Sequence, residues 1–194
     1  YAPAQYQMAL IYKNGNGVRK NAQKAFDLFS LAAEQNNPDA QFDLAVMYSE
    51  GVIVPKNLSL AFSLTEKAAR KNLASAQYNL GVMYYNGQGV KQDFHKASKE
   101  YKKSAEQNYA LAQFNLALMY FEGKGIEKSV EKSFIWNSIA ATNGYDDAKK
   151  SRDIDMRNLT SEEIKRANKT MNEMYTQIIR RAELKAKLAN KKAF

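Results

Sequence analysis

Few residues in this sequence could do covalent or metal chemistry. The 194 residues include no cysteine and a single histidine, His95. The lack of cysteine excludes a disulfide framework, a thiolate zinc site and a cysteine nucleophile. His95 follows Phe94 and has no second metal ligand nearby in sequence, so we interpret it as a surface residue. The sequence predicts neither a metal site nor a cofactor.

Carboxylates and glycines do not define a catalytic centre either. Acidic residues such as Asp146, Asp153 and Asp155 are assigned to helix starts and loops, where a negative charge favours the N-terminal end of a helix dipole. No pair of them is spaced for general acid–base catalysis. A Gly-x-Gly pair such as Gly87 and Gly89 could cradle a phosphate, but no strand precedes it and similar pairs recur along the chain. We therefore predict turns at the glycines and no enzymatic activity.

A fixed spacing of 36 residues organises the chain. It is clearest in five alanines that lie 36 residues apart: Ala4, Ala40, Ala76, Ala112 and Ala148. A constant period of this size is typical of helical-repeat proteins, in which each repeat buries its apolar face against its neighbours. We predict an all-α fold: an α/α right-handed superhelical solenoid of four 36-residue helix-turn-helix repeats, followed by C-terminal capping helices. The predicted repeats are 1–39, 40–75, 76–111 and 112–147, and the region 148–194 holds a half repeat and a long basic capping helix.

Each repeat is predicted to contain two antiparallel helices. The first begins at the anchor alanine, and residues four positions apart, such as Ala4, Met8 and Tyr12, form its core stripe. The second helix begins after a residue that caps helix N-termini, and these caps are Asn21, Asn57, Asp93 and Ser129. In the second repeat the turn lacks its second glycine, so we expect Val52 or Ile53 to face solvent or a partner.

The C-terminal region differs from the repeats in pattern and in charge. Thr160 and Glu163 form a capping box that opens a helix predicted from Ser161 to about Ala189. Its apolar stripe should cover the open end of the repeat stack: Ile164, Ala167, Met171, Met174, Tyr175 and Ile178. Residues 148–194 carry a net charge of +7 out of +9 for the whole chain. The basic residues gather toward the end of the chain, in a helix that we expect to be exposed: Arg180, Arg181, Lys185, Lys187, Lys191 and Lys192.

The repeat pattern resembles the Sel1-like repeat, a relative of the tetratricopeptide repeat. The resemblance rests on Ala-x-x-x-Leu-Gly-x-x-Tyr-x-x-Gly-x-Gly-Val at 76–90, on the following Asp93-x-x-Lys96-Ala97, and on Trp136 at the family's tryptophan position. It covers residues 1–147, and the segment 152–168 is similar to the cap found after many such arrays.

The resemblance implies an α/α scaffold that binds other proteins or peptides. Many bacterial members are exported to the periplasm or envelope, which gives an expected periplasmic or exported location. A cysteine-rich subgroup is linked to β-lactam binding, but this chain lacks its cysteines. Residues 1–4 resemble residues 109–112, so we expect that a targeting signal or further repeats precede the first residue.

A partner-binding surface is predicted on the first helices, on the side opposite the core stripe. This side would line the concave surface of a superhelix. The aromatic and aliphatic residues two and six positions after each anchor are assigned to packing between repeats, whereas the variable positions nearby are assigned to partner contact. Tyr85 and Phe121 are the predicted anchors, because large aromatic residues dominate interface hot spots. The other candidates are Lys13, Asn14, Ser49, Glu50, Asn79, Asn86, Asn115 and Glu122. Of these, Asn79, Asn86, Asn115 and Glu122 could hydrogen-bond a peptide backbone.

Four functions compete at this point. The first is a scaffold or adaptor that binds a protein or peptide partner. The second is an immunity or chaperone-type partner that neutralises a secreted effector. The third is binding of nucleic acid or another anionic surface by the basic C-terminal helix, which predicts strong salt dependence. The fourth is a penicillin-interacting hydrolase, for which the sequence offers no reactive hydroxyl beside a base.

Overall fold

A computed structural model describes the backbone of residues 1–192 and the side chains of residues 1–189. This part of the chain contains ten α-helices and no β-strand, which confirms the predicted all-α repeat fold. The helices are α1 (Ala2–Asn14), α2 (Ala22–Glu34), α3 (Pro38–Glu50), α4 (Leu58–Arg70), α5 (Ala74–Asn86), α6 (Phe94–Ala105), α7 (Ala110–Glu122), α8 (Val130–Thr142), α9 (Asp146–Arg157) and α10 (Ser161–Lys192). The predicted basic side chains of Lys191 and Lys192 lie outside the described residues.

The chain forms two compact units, one of residues 1–93 and one from Phe94 onward. In the first unit, α1 to α5 pack consecutively, each against the next. Its core is built on Phe29 and on small residues of the helix faces, such as Ala9, Ala40 and Ala45, which are almost fully buried. Small side chains such as these let the helix backbones approach closely.

In the second unit α7 and α8 pack together, α6 lies against α7, and both α9 and α10 lie against α8. As a result α8 is covered on several sides, and nine consecutive residues from Ser133 to Ala141 are buried, including Trp136. Leu116, Met119 and Ile139 complete the core of this unit.

A recurring glutamine ties each first helix to the preceding second helix. Gln41, Gln77 and Gln113 are buried, and each Nε2 donates a hydrogen bond to a carbonyl near the end of that helix, at 3.3, 3.4 and 3.1 Å. The same carbonyls also accept hydrogen bonds from the backbone amides of Asn36, Asn72 and Asn108, so each glutamine adds a second donor that joins the two helices. This accounts for the glutamine that follows the anchor alanine in the second, third and fourth repeats.

The second glycine of the turn allows a close backbone approach in two repeats. Gly89 and Gly125 have φ angles of 70° and 64°. A Cβ atom at Gly89 would overlap the carbonyl of Leu58, and one at Gly125 would overlap the carbonyl of Phe94. The glycines therefore serve packing, as the turn interpretation predicts.

The first helices begin two residues before the predicted position, at Pro38, Ala74 and Ala110 rather than at the anchor alanines. The physical reason lies at the end of the second helix. Asn36, Asn72 and Asn108 have φ angles of 61°, 63° and 67°, so the chain leaves the second helix through a single left-handed residue and starts the next helix at once. The four-residue spacing of the core stripe does not reveal this boundary.

The core stripe predicted for α1 is wrong at its first two positions. Ala4 is exposed and Met8 is 47% exposed, whereas Ala40, Ala76, Ala112 and Ala148 are completely buried. The four buried alanines lie against the second helix of the preceding repeat, whereas none of the helices that the structure describes packs over Ala4 and Met8.

Three of the four predicted N-caps of the second helices are confirmed, whereas the cap at Asp93 stays a prediction. The side chains of Asn21, Asn57 and Ser129 accept hydrogen bonds from backbone amides three residues ahead. The Thr160 amide donates to Glu163 Oε2 at 2.8 Å and the Glu163 amide donates to Thr160 Oγ1 at 3.3 Å, which is the predicted capping box. Val52 is 79% exposed in the irregular turn of the second repeat.

The long helix α10 covers α8 as the predicted terminal cap. Ala167 and Ile178 of its apolar stripe are buried. Beside them Arg166 forms a two-pronged ion pair with Glu131 of α8, with both N–O distances at 2.8 Å. Farther along, Lys185 Nζ donates to Gln107 Oε1 at 2.8 Å, and the rest of the basic stretch that the structure describes is largely exposed, as predicted.

Candidate functional site

Each unit contains an open pocket where a first helix, its second helix and the next first helix meet. The repeat-2 pocket, of about 110 Å³, lies between α3, α4 and α5. The repeat-4 pocket, of about 170 Å³, lies between α7, α8 and α9. Their linings correspond residue by residue at a distance of 72 positions, since Ser49, Asn79 and Met83 in the first match Phe121, Ser151 and Asp155 in the second. The repeat framework therefore places a pocket at the same point in both units.

The wall of the repeat-4 pocket is apolar. Phe114, Leu118 and Phe121 come from one face of α7, where steps of four and three residues place them side by side. Ile154 of α9 faces the same space, and it and Leu118 are 51% and 40% exposed. Phe114 is fixed by Tyr145, with 5.0 Å between the ring centroids.

The floor of the repeat-4 pocket is polar and centres on Asp155, which is only 1% exposed. Ser133 Oγ and Asn137 Nδ2 both donate hydrogen bonds of 2.8 Å to the same oxygen, Asp155 Oδ2. Burial raises the pKa of Asp155, and these two hydrogen bonds oppose that rise by favouring the charged form. The prediction that placed Asp155 among carboxylates at helix starts and loops is wrong, because Asp155 is a buried residue near the end of α9.

Of the predicted partner-binding residues, Ser49 and Asn79 lie together in the repeat-2 pocket and Phe121 lies in the repeat-4 pocket. The Ser49 hydroxyl donates to the Val46 carbonyl at 2.8 Å. The Phe121 ring lies 5.9 Å from Lys128 Nζ. These three residues are half-buried, with part of each side chain open to a partner.

Lys13 is engaged within the first unit. Its Nζ lies 2.6 Å from Asp43 Oδ1, and the Tyr6 hydroxyl donates to Asp43 Oδ2 at 3.2 Å. Burial, followed by the charge of Asp43, raises the pKa of Tyr6. Asp43 was missed by the sequence reasoning, and its function here is to join α1 to α3.

The remaining candidates lie at or next to the C-terminal ends of first helices, except Asn115, which lies in the middle of α7. Tyr85 and Asn115 are half-buried. Asn14, Glu50, Asn86 and Glu122 are exposed at the last position of their helices. Glu122 pairs with Lys124 at 2.8 Å, beside the turn. Partner binding by any of the ten candidates stays a prediction.

His95 is exposed, and its Nδ1 lies 3.2 Å from the Gly125 carbonyl oxygen. The described residues contain no group of three or more His, Cys, Asp and Glu side chains placed to hold a metal ion. Up to residue 192, no helix is both long enough and apolar enough to cross a membrane.

The fold and the recurring pockets define an all-α helical-repeat protein. The chain belongs to the Sel1 repeat family: the Sel1 repeat model matches residues 2–37, 38–73, 74–109 and 110–145. Sel1 repeat proteins are generally protein-interaction scaffolds and are typically non-catalytic. No curated protein matches the chain.

Three solved structures illustrate the likeness. A Sel1 repeat protein from Oxalobacter formigenes is 31% identical over 76% of this chain and 60% of its own, with a TM-score of 0.71. A protective antigen of uropathogenic Escherichia coli strains, which displays an SLR fold, is 25% identical over 96% of this chain and 48% of its own, with a TM-score of 0.65. Cysteine rich protein B of Helicobacter pylori is 26% identical over 70% of this chain and 98% of its own, with a TM-score of 0.54. The chain thus spans 60% and 48% of the length of the first two proteins.

Proposed function

We propose that this chain is a non-enzymatic interaction module that binds a protein or peptide partner on its first helices, at the repeat-2 and repeat-4 pockets. The observation that carries the proposal is the recurrence of an open pocket at the same repeat position in both units. Exposed apolar residues at such a pocket, here Leu118 and Ile154, are typical of interaction sites.

The size of the pockets favours a protein partner over a small molecule. Volumes of about 110 and 170 Å³ are below the roughly 300–1,000 Å³ of pockets that enclose drug-sized ligands. They are suited to single side chains, which is how interface anchors dock. The predicted anchor Phe121 is part of the repeat-4 pocket wall, and Tyr85 belongs to the same class of position on α5.

A pull-down tests the proposal, with mass spectrometry to identify what is retained and quantify its recovery. The test variant carries Tyr85→Ala and Phe121→Ala. The control variant carries Leu31→Ala and Leu60→Ala, which remove exposed apolar side chains from the second helices α2 and α4. We expect one protein to be retained by the intact chain and by the control, and its recovery to fall at least tenfold with the test variant. Circular dichroism establishes that both variants stay folded. If the recovery of the partner falls equally with both variants, the partner contact lies elsewhere than at Tyr85 and Phe121.

The effector-neutralising function and the basic-surface function stay predictions from the sequence. The first differs from an adaptor in affinity, since it requires one target held tightly over a large interface. The second differs in salt dependence, since the recovery of a partner held by Lys and Arg falls steeply as salt rises. The proposed bacterial, exported location is likewise an expectation from the family resemblance.

A further inference from the structure

The polar floor of the repeat-4 pocket is a departure from the repeat pattern at three positions that touch one another. The residue seven positions after the anchor is apolar in four repeats and acidic in α9: Ile11, Met47, Met83, Met119 and Asp155. On the second helix, the position of Ser133 is alanine in the other repeats: Ala25, Ala61 and Ala97. The position of Asn137 carries larger or less polar side chains in those repeats: Phe29, Thr65 and Tyr101.

The packing of the fold does not require this change. In the repeat-2 pocket the equivalent positions hold Ala61, Thr65 and Met83, which fill the space between the helices without a charge. Placing a carboxylate at a buried site costs free energy unless the charge is paired. The three polar residues are hydrogen-bonded to one another, yet no cation lies within ion-pair distance of Asp155 in the described part of the chain.

Two acceptors on the pocket floor remain unused. Both hydrogen bonds to Asp155 end on Oδ2, so Asp155 Oδ1 accepts none among the described residues. Asn137 is 3% exposed, and its Oδ1 is buried without a partner. The side-chain amide of Asn137 is oriented by the Asp155 carboxylate. Because a carboxylate only accepts hydrogen bonds, the donor Nδ2 of Asn137 must point toward it. Asn137 Oδ1 is closed to solvent, so the acceptor that a group entering the open pocket can reach belongs to Asp155, which lines the pocket.

A cation that carries N–H donors at the end of an apolar chain fits this pocket. A positive charge matches the unpaired carboxylate, and an N–H donor matches Asp155 Oδ1. The aliphatic part would pass between Leu118 and Ile154, and the rings of Phe114 and Phe121 stand in the same wall, where aromatic faces attract a cation. Lysine and arginine side chains have this composition, and they place the charge at the buried end.

We propose that the repeat-4 pocket binds a lysine or arginine side chain of the protein partner, with Asp155 as its counter-ion, which Ser133 and Asn137 hold in place. This inference rests on the proposed function for the partner and names the chemistry that the partner presents. The net charge of +9 on the chain repels cations in general, so binding of a cation here requires a local attraction.

The pocket can be tested without a partner, by nuclear magnetic resonance titration of the full chain with n-butylammonium chloride at constant ionic strength. This probe has the four-carbon chain and ammonium group of lysine, and 1-butanol is the neutral control of similar shape. We expect butylammonium to shift the side-chain amide signals of Asn137 and the methyl signals of Ile154 saturably, with a Kd at least tenfold below that of 1-butanol. Equal affinity for both probes, or shifts that exclude these residues, overturns the proposal.

Two variants test whether the charge of Asp155 causes the preference for butylammonium over 1-butanol. Asp155→Asn keeps the shape of the side chain and should abolish the preference for butylammonium over 1-butanol. Asp153→Asn removes an exposed carboxylate two residues away that pairs with Arg152 at 2.8 Å, and it should leave the preference unchanged. If the Asp155→Asn variant still prefers butylammonium to 1-butanol, the assignment of Asp155 as the counter-ion is wrong. The comparison of the two probes on the unaltered chain stands even where a variant fails to fold.

The same variants separate this inference from the proposed function. Suppose that a partner is lost with Tyr85→Ala/Phe121→Ala but is retained equally by Asp155→Asn. This result supports the proposed function and overturns the proposal that the partner inserts a lysine or arginine side chain. Specific butylammonium binding together with recovery of no partner at all supports the chemistry of the pocket and contradicts the proposed function. Recovery that falls at least tenfold with Asp155→Asn and not with Asp153→Asn supports both.

Discussion

At the scale of single residues, Asp155 makes the stability of the fold depend on pH in an unusual direction. Its pKa is raised from the ordinary value of 3.8, so the folded chain holds this proton more tightly than the unfolded chain does. In the pH interval between 3.8 and the raised pKa, the folded state therefore binds more protons, and Asp155 lowers the free energy of unfolding as pH rises. The paired carboxylates Glu131, Asp146 and Glu163 have lowered pKa values and act in the opposite direction.

We predict that Asp155→Asn removes this contribution. The free energy of unfolding of the variant, relative to the original chain, should increase between about pH 4 and pH 7, with a slope of at most about 1.4 kcal/mol per pH unit for one proton. Urea unfolding, monitored by circular dichroism at several pH values, measures this difference in the free energy of unfolding.

The charged neighbours do not mask the effect. Along α8 and α9, Glu131 pairs with Arg166 and Arg152 pairs with Asp153. Lys132 is exposed and its Nζ lies 5.4 Å from the Tyr120 ring. Asp153→Asn is the control, because it removes a carboxylate of the same helix that does not line the pocket. A pH-independent difference for Asp155→Asn would contradict the raised pKa.

The pocket floor shows what sequence reasoning could reach at this scale. Phe121 was predicted as an anchor from its size and its variable position, and the structure places it in the pocket wall, while its contact with a partner stays a prediction. Asp155 was missed because a helix-start rule was applied to all carboxylates. The useful signal was present in the repeats themselves, since the position that holds Met83 and Met119 becomes Asp155 at the same spacing.

At the scale of helices, the terminal cap is predicted to hold mainly through a few buried contacts. Ile178 is 3% exposed where α10 packs in the second unit, and the adjacent Ile179 is only half-buried. Ile178→Ala should lower the free energy of unfolding by about 2–4 kcal/mol, because it removes buried methyl groups and leaves a cavity.

Ile179→Ala is the matched control for this loss. It removes the same atoms from a more exposed position and should cost about 1 kcal/mol. Thermal unfolding of the two variants side by side provides the comparison. If both variants lose the same free energy of unfolding, the end of α10 stabilises the fold through its helix propensity and hardly through packing.

The cap also shows which parts of the helices the sequence could define. The start of α10 was predicted to the residue, because the capping box is a local hydrogen-bond pattern between Thr160 and Glu163. The starts of the first helices were placed two residues late, because they depend on left-handed residues such as Asn72, whose conformation a core stripe does not encode. Exposure of Ala4 and Met8 was missed because burial depends on a neighbouring helix and not on the residue itself.

At the scale of the whole molecule, the division into units does not follow the repeats. The family model places the third repeat at residues 74–109, and the boundary between the units falls inside it, between α5 and α6. The sequence period could not show this, because it treats every repeat as equivalent. The predicted division into a repeat region of 1–147 and a C-terminal region of 148–194 stays a prediction.

We predict that the second unit folds by itself. A fragment of residues 94–194 contains α6 to α10, so its repeat helices α7 and α8 keep neighbours on either side and the cap α10 keeps its contact with α8. Because repeats bury their apolar faces only against neighbours, such a fragment retains the contacts that stabilise it. Circular dichroism should show a helical fragment with a cooperative thermal transition.

A shorter fragment, 94–157, separates the contribution of the cap. It lacks α10 and so uncovers the face of α8 against which Ala167 and Ile178 pack in the complete unit. Exposing that apolar surface to water should broaden the thermal transition and lower its midpoint by several degrees, since about 1 kcal/mol shifts the midpoint of a domain of this size by roughly 4–8 °C. Identical transitions for both fragments would assign the stability of the unit to the repeats alone. An unfolded 94–194 fragment would show instead that the second unit depends on residues 1–93.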